Sequence, residues 1–232
     1  MKIAIMQPYF FPYIGYFQLI NAVDKFIFYD DVNFINKGWI NRNKILLNGK
    51  DHFFTLPLKS ASQNKLINQI EICENNNKII KTIKHAYSKA IYFEDVLPLI
   101  RQVIDKIDEM KSISKIAEIS VKLVTEYLNI NRIFYTSSED FKFSQDLHGE
   151  KRIIAICKKI GADTYINPSG IKGFYNHENF KENGIRLFYI ENNIKPYRQF
   201  NNDFISHLSI IDVLMFNSIE DVNILLDDYK LI

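Results

Sequence analysis

Short apolar runs alternate with an amphipathic stretch over the first thirty residues of the chain. Lys2–Met6 is an apolar run that a proline soon follows, which predicts a buried strand. Apolar residues at helical spacing over Tyr13–Ala22 predict a helix, and the apolar run Phe26–Tyr29 predicts a second buried strand. This β–α–β order favours a parallel sheet that is covered by helices on both faces.

The remaining pattern predicts a β-rich segment, a helical middle and a mixed C-terminal third. Asn48-Gly49 is a strong turn signal and predicts a hairpin between its two flanking strands. The further predicted strands are Trp39–Leu47, Asp51–Leu58, Gln69–Cys73, Arg132–Thr136, Thr164–Ile166 and Ile185–Ile190. The further predicted helices are Lys78–Lys89, Glu94–Met110, Ile113–Leu128, His148–Ile160, Leu208–Phe216 and Val222–Leu226, with a short helix that ends over Phe180–Gly184.

No linker, internal repeat or low-complexity tract divides the chain, so one domain over residues 1–232 is expected. Its hydrophobic fraction of 47% is that of a globular protein and excludes general disorder. The predicted fold class is α/β, with a mostly parallel, Rossmann-like sheet covered by helices, a small β-hairpin and a helical middle segment.

The charge pattern and the targeting signals exclude few functions apart from insertion into a membrane. The net charge of +2, with both signs interleaved, favours no class of partner. No apolar run approaches the length of about 20 residues that spans a bilayer, and the N-terminal run stops at Pro8, too early for a signal peptide. We therefore expect a cytoplasmic protein without membrane insertion.

Cysteine and histidine spacing predicts no intrinsic metal. Cys73 and Cys157 each lie among apolar neighbours, which favours two buried, reduced thiols. The five histidines are scattered along the chain without the spacing of zinc ligands.

The loop after the first strand is the first candidate for ligand binding. Gln7, Tyr9 and Gly15 lie in a proline-rich segment between a strand and a helix, where ligands of parallel sheets usually bind. The alternative is that these aromatic residues and prolines only pack a loop.

Two adjacent carboxylates follow the second strand. Asp30 and Asp31 could hold a metal, accept ribose hydroxyls or act as a base. Neighbouring positions on a strand point to opposite faces, so only one is expected to face the site. A solvated turn is the other interpretation.

A third candidate group lies in the predicted strand Trp39–Leu47. Trp39 and Asn41 would share one face of that strand, and Arg42 on the other face suits a phosphate or a carboxylate. An edge strand whose charged side chains prevent pairing with another chain would have the same spacing.

Two later loops add polar residues. His148, at the start of a predicted helix, suits acid–base work, and the neighbouring Lys151 suits an anion. Asn167 and Ser169 follow a predicted strand in a polar turn. We predict that Gln7, Asp30 or Asp31, Arg42, and at least one of His148 and Asn167 surround one concave site.

Several motifs make the chain similar to the WbqC-like protein family. The likeness covers nearly the whole chain. It is carried by Ile5–Phe17, Asp24, Phe28–Val32, Phe34, Gly38–Arg42, Gly149, Arg152-Ile153, Cys157-Lys158, Gly161-Ala162, Tyr165 and Leu208–Asp212.

The resemblance implies an enzyme of bacterial surface-polysaccharide (O-antigen, lipopolysaccharide) synthesis. Its implied reaction attaches an amino acid such as glycine to the amino group of a nucleotide-linked amino sugar. The implied partners are that sugar and a small amino-acid donor, with ATP or aminoacyl-tRNA as co-substrate and no intrinsic cofactor. A glycosyltransferase, another acyl transferase of the same pathway and a non-catalytic binding protein of the assembly complex stay open as alternatives.

A more distant likeness is to the nucleotidylyltransferase-like Rossmann proteins. Those proteins carry a His-x-Gly-His motif that stabilises phosphate, and in this chain Tyr13-Ile14-Gly15-Tyr16 occupies the corresponding stretch. Because neutral phenols stabilise charge poorly, this likeness implies the fold and speaks against adenylyl transfer.

Overall fold

The computed structural model of the chain describes residues 1–73, 77–201 and 203–232. The strands are β1 Lys2–Met6, β2 Lys25–Phe28, β3 Arg42–Leu47, β4 Lys50–Thr55, β5 Leu58–Lys59, β6 Glu71–Ile72, β7 Ile133–Thr136, β8 Thr164–Pro168, β9 Arg186–Asn192 and β10 Tyr229–Leu231. The helices are α1 Ile14–Ala22, α2 Asn77–Tyr87, α3 Phe93–Asp105, α4 Ile107–Met110, α5 Ile113–Tyr127, α6 Ser137–Asp140, α7 Gly149–Ile160, α8 His177–Glu182, α9 Ile210–Phe216 and α10 Ile219–Leu226.

Six strands form the central sheet in the order β10-β9-β8-β1-β2-β7. Neighbouring strands run parallel, except that β10 pairs antiparallel with β9. The predicted mostly parallel α/β sheet is confirmed. β10 itself was not predicted, because three residues at a sheet edge are too few to show the hydrophobic periodicity of a strand.

Helices cover both faces of the sheet because successive residues of each buried strand point to opposite sides. Ala4, Phe26 and Phe28 face the larger core, which includes apolar residues of α1, α3, α5, α9 and α10. Ile3, Ile5 and Ile27 face a smaller core that α7 and α8 close with residues such as Ile156 and Phe180.

The hairpin of β3 and β4 turns at Asn48-Gly49, as predicted, and both residues have positive φ angles of 51° and 74°. Its first strand begins at Arg42, so the prediction that Trp39 and Asn41 lie in the strand is wrong. They lie in a segment of turns and bends over residues 36–41. The Arg42 guanidinium donates to the carbonyl oxygens of Lys37 and Gly38 in that segment, and these bonds stabilise it against strand pairing.

The predicted helix Glu94–Met110 is interrupted. α3 ends at Asp105, and α4 starts again at Ile107. The backbone N–H of Lys106 donates to the carbonyl of Val103, three residues back, at 3.3 Å. The apolar spacing continues through this tightened turn, so the pattern alone does not reveal the break.

The two cysteines have different surroundings. Cys157 is buried, as expected, and burial raises the pKa of its thiol to about 12. Cys73 is only half-buried, contrary to the expectation, because it follows the short strand β6 near the surface. Within the described residues, the helices are too short or too polar to cross a bilayer.

Candidate functional site

The chain changes direction across the sheet between β1 and β8. β2 and β7 lie on one side of β1, and β9 and β10 lie beyond β8. In doubly wound sheets, ligands bind at such a switch point, outside the carboxyl ends of the strands. Two clefts, each of about 570 Å³, lie beside this edge of the sheet.

The first cleft, called the aromatic cleft below, lies where β1 and β8 end. Rings form most of its wall, and few polar groups reach it. It is lined by Met6, Tyr9, Tyr13, Gly15, Tyr16, Leu19, Trp39, Asn43, Lys44, Pro168, Ser206 and His207.

The second cleft, called the polar cleft below, lies beside the ends of β1 and β2 and the start of α7. Charged and amide side chains form much of its wall. It is lined by Gln7, Tyr29, Asp31, Val32, Asn33, Leu66, Gln145, His148, Gly149, Arg152, Ile153, Phe174 and Tyr175.

The end of β1 contributes to both clefts. Met6 lines the aromatic cleft, and the next residue, Gln7, lines the polar cleft. This division follows from the alternation of side chains along an extended chain. The sequence Met6-Gln7 therefore lies between the two clefts.

A buried hydrogen-bonding centre fixes the loop that forms the aromatic cleft. The carbonyl of Phe11 accepts bonds from Asn43 Nδ2 and Ser209 Oγ, each at 2.7 Å, and its N–H donates to Ser120 Oγ at 3.0 Å. These bonds hold Phe11 at a φ of 42°, a left-handed conformation that a residue with a side chain adopts only when its surroundings impose it. The proline-rich loop, β3 and the segment before α9 are thereby tied together.

Tyr13 and Gly15 form one end of the aromatic cleft. The Tyr13 ring stacks on His207 with centroids 6.0 Å apart, and its hydroxyl donates to Asn192 Oδ1 at 3.3 Å. A Cβ atom added at Gly15 would lie 2.4 Å from the Tyr13 ring. Glycine at this position therefore allows Tyr13 to lie against the start of α1.

Gly15→Ala is expected to destabilise the protein only while Tyr13 is present. In the wild-type background, the clash should cost about 1–3 kcal/mol, which exceeds the gain of roughly 1 kcal/mol in helix propensity. In a Tyr13→Ala background, the same change should be neutral or stabilising. Urea unfolding of the four proteins checks this, and an equal effect of Gly15→Ala in both backgrounds would rule out the clash.

The remaining rings of the aromatic cleft make stacked pairs. Tyr9 stacks on Tyr16 at 5.6 Å, and Trp39 stacks on Phe53 of β4 at 6.0 Å. Burial, with a smaller contribution from Tyr13, raises the pKa of Tyr9 to about 12. Its hydroxyl is therefore a hydrogen-bonding group rather than a base at neutral pH.

A buried ion pair forms one wall of the polar cleft. Arg152 Nη2 lies 2.6 Å from Asp31 Oδ2, and the two side chains are 3% and 4% exposed. Ser144 Oγ accepts a bond from Arg152 Nε at 3.2 Å, and Ser137 donates to the other oxygen of Asp31. The guanidinium lies over the Tyr29 ring, 4.8 Å from its centroid. These contacts fix both charges in place.

Asp30 points away from both clefts and joins β2 to the end of β7. Its carboxylate accepts bonds from Ser138 N at 3.0 Å and Ser138 Oγ at 2.7 Å, and the Asp30 N–H donates to Ser137 Oγ at 3.2 Å. The side chain is buried, with the residue 1% exposed. Of the two adjacent carboxylates, Asp31 is the one that lines a cleft.

Gln7 and His148 line the polar cleft without side-chain hydrogen bonds to the described residues. His148 is exposed and immediately precedes α7, where it makes no side-chain cap. Both side chains are therefore free to contact a ligand. Lys151, one turn into α7, is exposed and lies outside the walls of both clefts.

Four other predicted site residues are engaged in local structure. Arg42 contacts its own turn and the Phe53 ring, with its Cζ 4.9 Å from the ring centroid. Asn41 Nδ2 donates to the Leu56 carbonyl at 2.8 Å, and the buried Asn167 donates to the Tyr165 hydroxyl at 2.9 Å. Ser169 begins a short 3-10 turn. None of the four lines either cleft.

Residues 7–224 match the WbqC-like protein family. The chain belongs to this family. The match confirms the resemblance that the sequence motifs indicated. The WbqC-like chain is also 24% identical over 220 residues to the uncharacterized protein Rv1507c of Mycobacterium tuberculosis, covering 93% of each. No solved structure matches this WbqC-like protein.

Further residues line the two clefts beside the predicted site residues. In the WbqC-like chain, Ser206 and His207 reach the aromatic cleft from a loop held by Ser209. Lys44 reaches it from β3, and Phe174 and Tyr175 reach the polar cleft. Their position in the clefts depends on contacts between segments that are distant in sequence.

The polar groups on the cleft walls of the WbqC-like protein include amide, imidazole, carboxylate and guanidinium side chains. In the part of the chain that the structure describes, no three His, Cys, Asp or Glu residues group closely enough to bind a metal ion.

Proposed function

We propose that this WbqC-like protein is a transferase of bacterial surface-glycan synthesis. It attaches an amino acid such as glycine to the amino group of a nucleotide-linked amino sugar. The observation that carries the proposal is the position of the aromatic cleft. It lies at the switch point of a parallel sheet, where doubly wound proteins bind nucleotides.

The aromatic cleft suits the nucleotide end of such a substrate. Tyr9 and Trp39 offer ring faces on which a base or a sugar packs. Lys44 Nζ lies 2.6 Å from Asp51 Oδ2, and both side chains are substantially exposed. Because exposed ion pairs are weak, Lys44 can exchange this partner for a pyrophosphate.

The proposed reaction needs a base and a polar environment for the acyl group. The sugar ammonium gives a proton to the base, and the free amine attacks the activated carbonyl carbon of the amino acid. A C–N bond forms, and the bond to the leaving group breaks, with either a tRNA ribose oxygen or an adenylate phosphate oxygen as that group. Polarised donors stabilise the negative charge on the carbonyl oxygen.

His148 is the best placed base among the predicted catalytic residues. Its imidazole lines the polar cleft without a competing hydrogen bond, and imidazoles exchange protons near neutral pH. Asp30 is enclosed by two serines, and Asp31 is held by Arg152. We therefore assign Asp31 to binding and Asp30 to structure.

Incubation with nucleotide-linked amino sugars, plus glycine and ATP or glycyl-tRNA, is expected to yield the amide, detected as a mass increase of the intact nucleotide sugar. Trp39→Ala should raise the KM for the sugar by about tenfold through lost stacking. Phe143→Ala, an exposed ring outside both clefts, is the matched control. Release of free nucleotide with the sugar moved to an acceptor would instead identify a glycosyltransferase, and failure to bind any nucleotide sugar would remove the proposal.

A further inference from the structure

We propose that the polar cleft binds a zwitterionic α-amino acid, with the ammonium on Asp31 and the carboxylate on Arg152. Its role as the donor substrate rests on the proposed function, whereas the binding itself does not. The cleft is separate from the aromatic cleft, so the two substrates would occupy different sites.

The first support is a pair of opposite charges fixed side by side in a cleft wall. The side chains of Asp31 and Arg152 are at most 4% exposed, and both residues line the cavity. Ser137 donates a hydrogen bond to Asp31, and Ser144 accepts one from Arg152, so both charged groups are fixed in position. An α-amino acid also carries opposite charges close together, so it can bind alongside the pair without leaving either charge uncompensated.

Both partners keep hydrogen-bonding capacity for a ligand. Each carboxylate oxygen of Asp31 accepts one bond and has a second lone pair. A guanidinium has more N–H donors than its bonds to Asp31 and Ser144 use. Added charge-assisted bonds at such a buried site are strong and directional.

Unpartnered polar groups on the same cavity complete the site. The Gln7 amide and the His148 imidazole make no side-chain hydrogen bond to the described residues, and both line the cleft. An amide offers a donor and an acceptor, so Gln7 can bind either end of an amino acid.

The charge balance of the wall favours a zwitterion over phosphate. A phosphate at Arg152 would lie beside the Asp31 carboxylate, which is 2.6 Å from the guanidinium. Two negative charges beside one guanidinium repel each other strongly at a buried site. A single monoanion or a single cation would each satisfy only half of the pair.

An apolar wall predicts which amino acids bind. Leu66, Ile153 and Phe174 line the same cleft, and the cavity of about 570 Å³ exceeds what glycine fills. The Phe174 ring is 77% exposed, so a ligand side chain can cover it. Amino acids with apolar side chains should therefore bind at least as tightly as glycine.

Calorimetric titration of the full chain with glycine, L-leucine, acetate, methylamine and inorganic phosphate tests the proposal without any sugar. We expect L-leucine and glycine to bind, and acetate, methylamine and phosphate to bind at least about tenfold more weakly. Asp31→Asn should weaken amino-acid binding by about tenfold or more, and His148→Ala by severalfold. His148 is exposed and makes no side-chain hydrogen bond to the described residues. Its variant therefore keeps the test valid if Asp31→Asn unfolds.

Lys158→Gln, at an exposed position on the far end of α7, is the matched control and should bind normally. Phosphate or acetate binding as tightly as glycine would overturn the proposal in favour of a simple anion site. Absence of amino-acid binding by the folded wild-type protein would also overturn it. If amino acids bind but no transfer to a nucleotide sugar occurs, this inference stands and the proposed function fails.

Discussion

Replacement of Asp212 by alanine is expected to lower the free energy of unfolding by about 3 kcal/mol, because three buried donors lose their shared acceptor. The Tyr197 hydroxyl and Gln199 Nε2 each donate to Asp212 Oδ1 at 2.6 Å, and the Tyr87 hydroxyl donates to Oδ2 at 2.7 Å. Asp212 is fully buried. Its carboxylate thus joins α2 and α9 to the segment that follows β9.

Asp212→Asn should cost less, because its amide oxygen still accepts two of the three bonds. The amide nitrogen would then face the Tyr87 hydroxyl, which already accepts from the Leu46 N–H at 2.9 Å. Urea unfolding of both variants, beside the exposed control Asp105→Ala, measures the series. Equal losses for Asn and Ala would mean that the hydrogen bonds are not the cause.

The difference in stability between wild type and Asp212→Asn should depend on pH in a defined direction. Burial raises the pKa of Asp212 above its ordinary value, despite the opposing hydrogen bonds from Tyr197, Tyr87 and Gln199. A raised folded-state pKa contributes stability below the unfolded pKa, and that contribution is lost as pH rises through the folded value. The stability advantage of wild type over Asp212→Asn should therefore be larger at acidic than at neutral pH.

Gln7→Ala is expected to reduce kcat/KM for the proposed transfer by about a hundredfold while the melting temperature stays within a few degrees of wild type. The amide lies at the end of β1, on the wall of the polar cleft, and makes no side-chain bond to the described residues. Its removal takes away ligand contacts without leaving a protein group unpaired.

The matched control is Gln102→Ala, an exposed glutamine on α3. Gln7→Glu keeps the size of the side chain but removes its donor, so it separates hydrogen-bond donation from packing. Near-normal turnover of Gln7→Ala would place the chemistry elsewhere. A large fall in melting temperature would instead assign Gln7 to the structure.

The sheet could be predicted from the sequence because its strands are short, apolar and buried on both faces. The predicted bounds of β1 are exact, and those of β2 differ from the observed strand by one residue at each end. The start of β3 was misplaced because the bonds of Arg42 to its own turn depend on the folded backbone. β10 depends on pairing with β9, an earlier strand across a long connection, and its own sequence carries no comparable signal.

Part of the candidate site was predictable because it follows strands. Gln7 and Asp31 were identified because parallel strands end at a common edge. Asp30 is buried in local structure and Asp31 lines a cleft. This difference depends on contacts with Ser137 and Arg152, both more than a hundred residues away. His207 reaches the aromatic cleft because Ser209, two residues later, bonds to Phe11.

A hydrogen bond joins a residue of the aromatic cleft to the backbone of a residue of the polar cleft. The Tyr16 ring lines the aromatic cleft, and its hydroxyl donates to the carbonyl of Gln7 at 2.9 Å. A ligand that displaces Tyr16 must break this bond and release the backbone that carries the Gln7 side chain. By thermodynamic reciprocity, occupancy of the polar cleft would then alter affinity in the aromatic cleft by the same factor. Under such coupling, neither cleft would bind its ligand independently of the other.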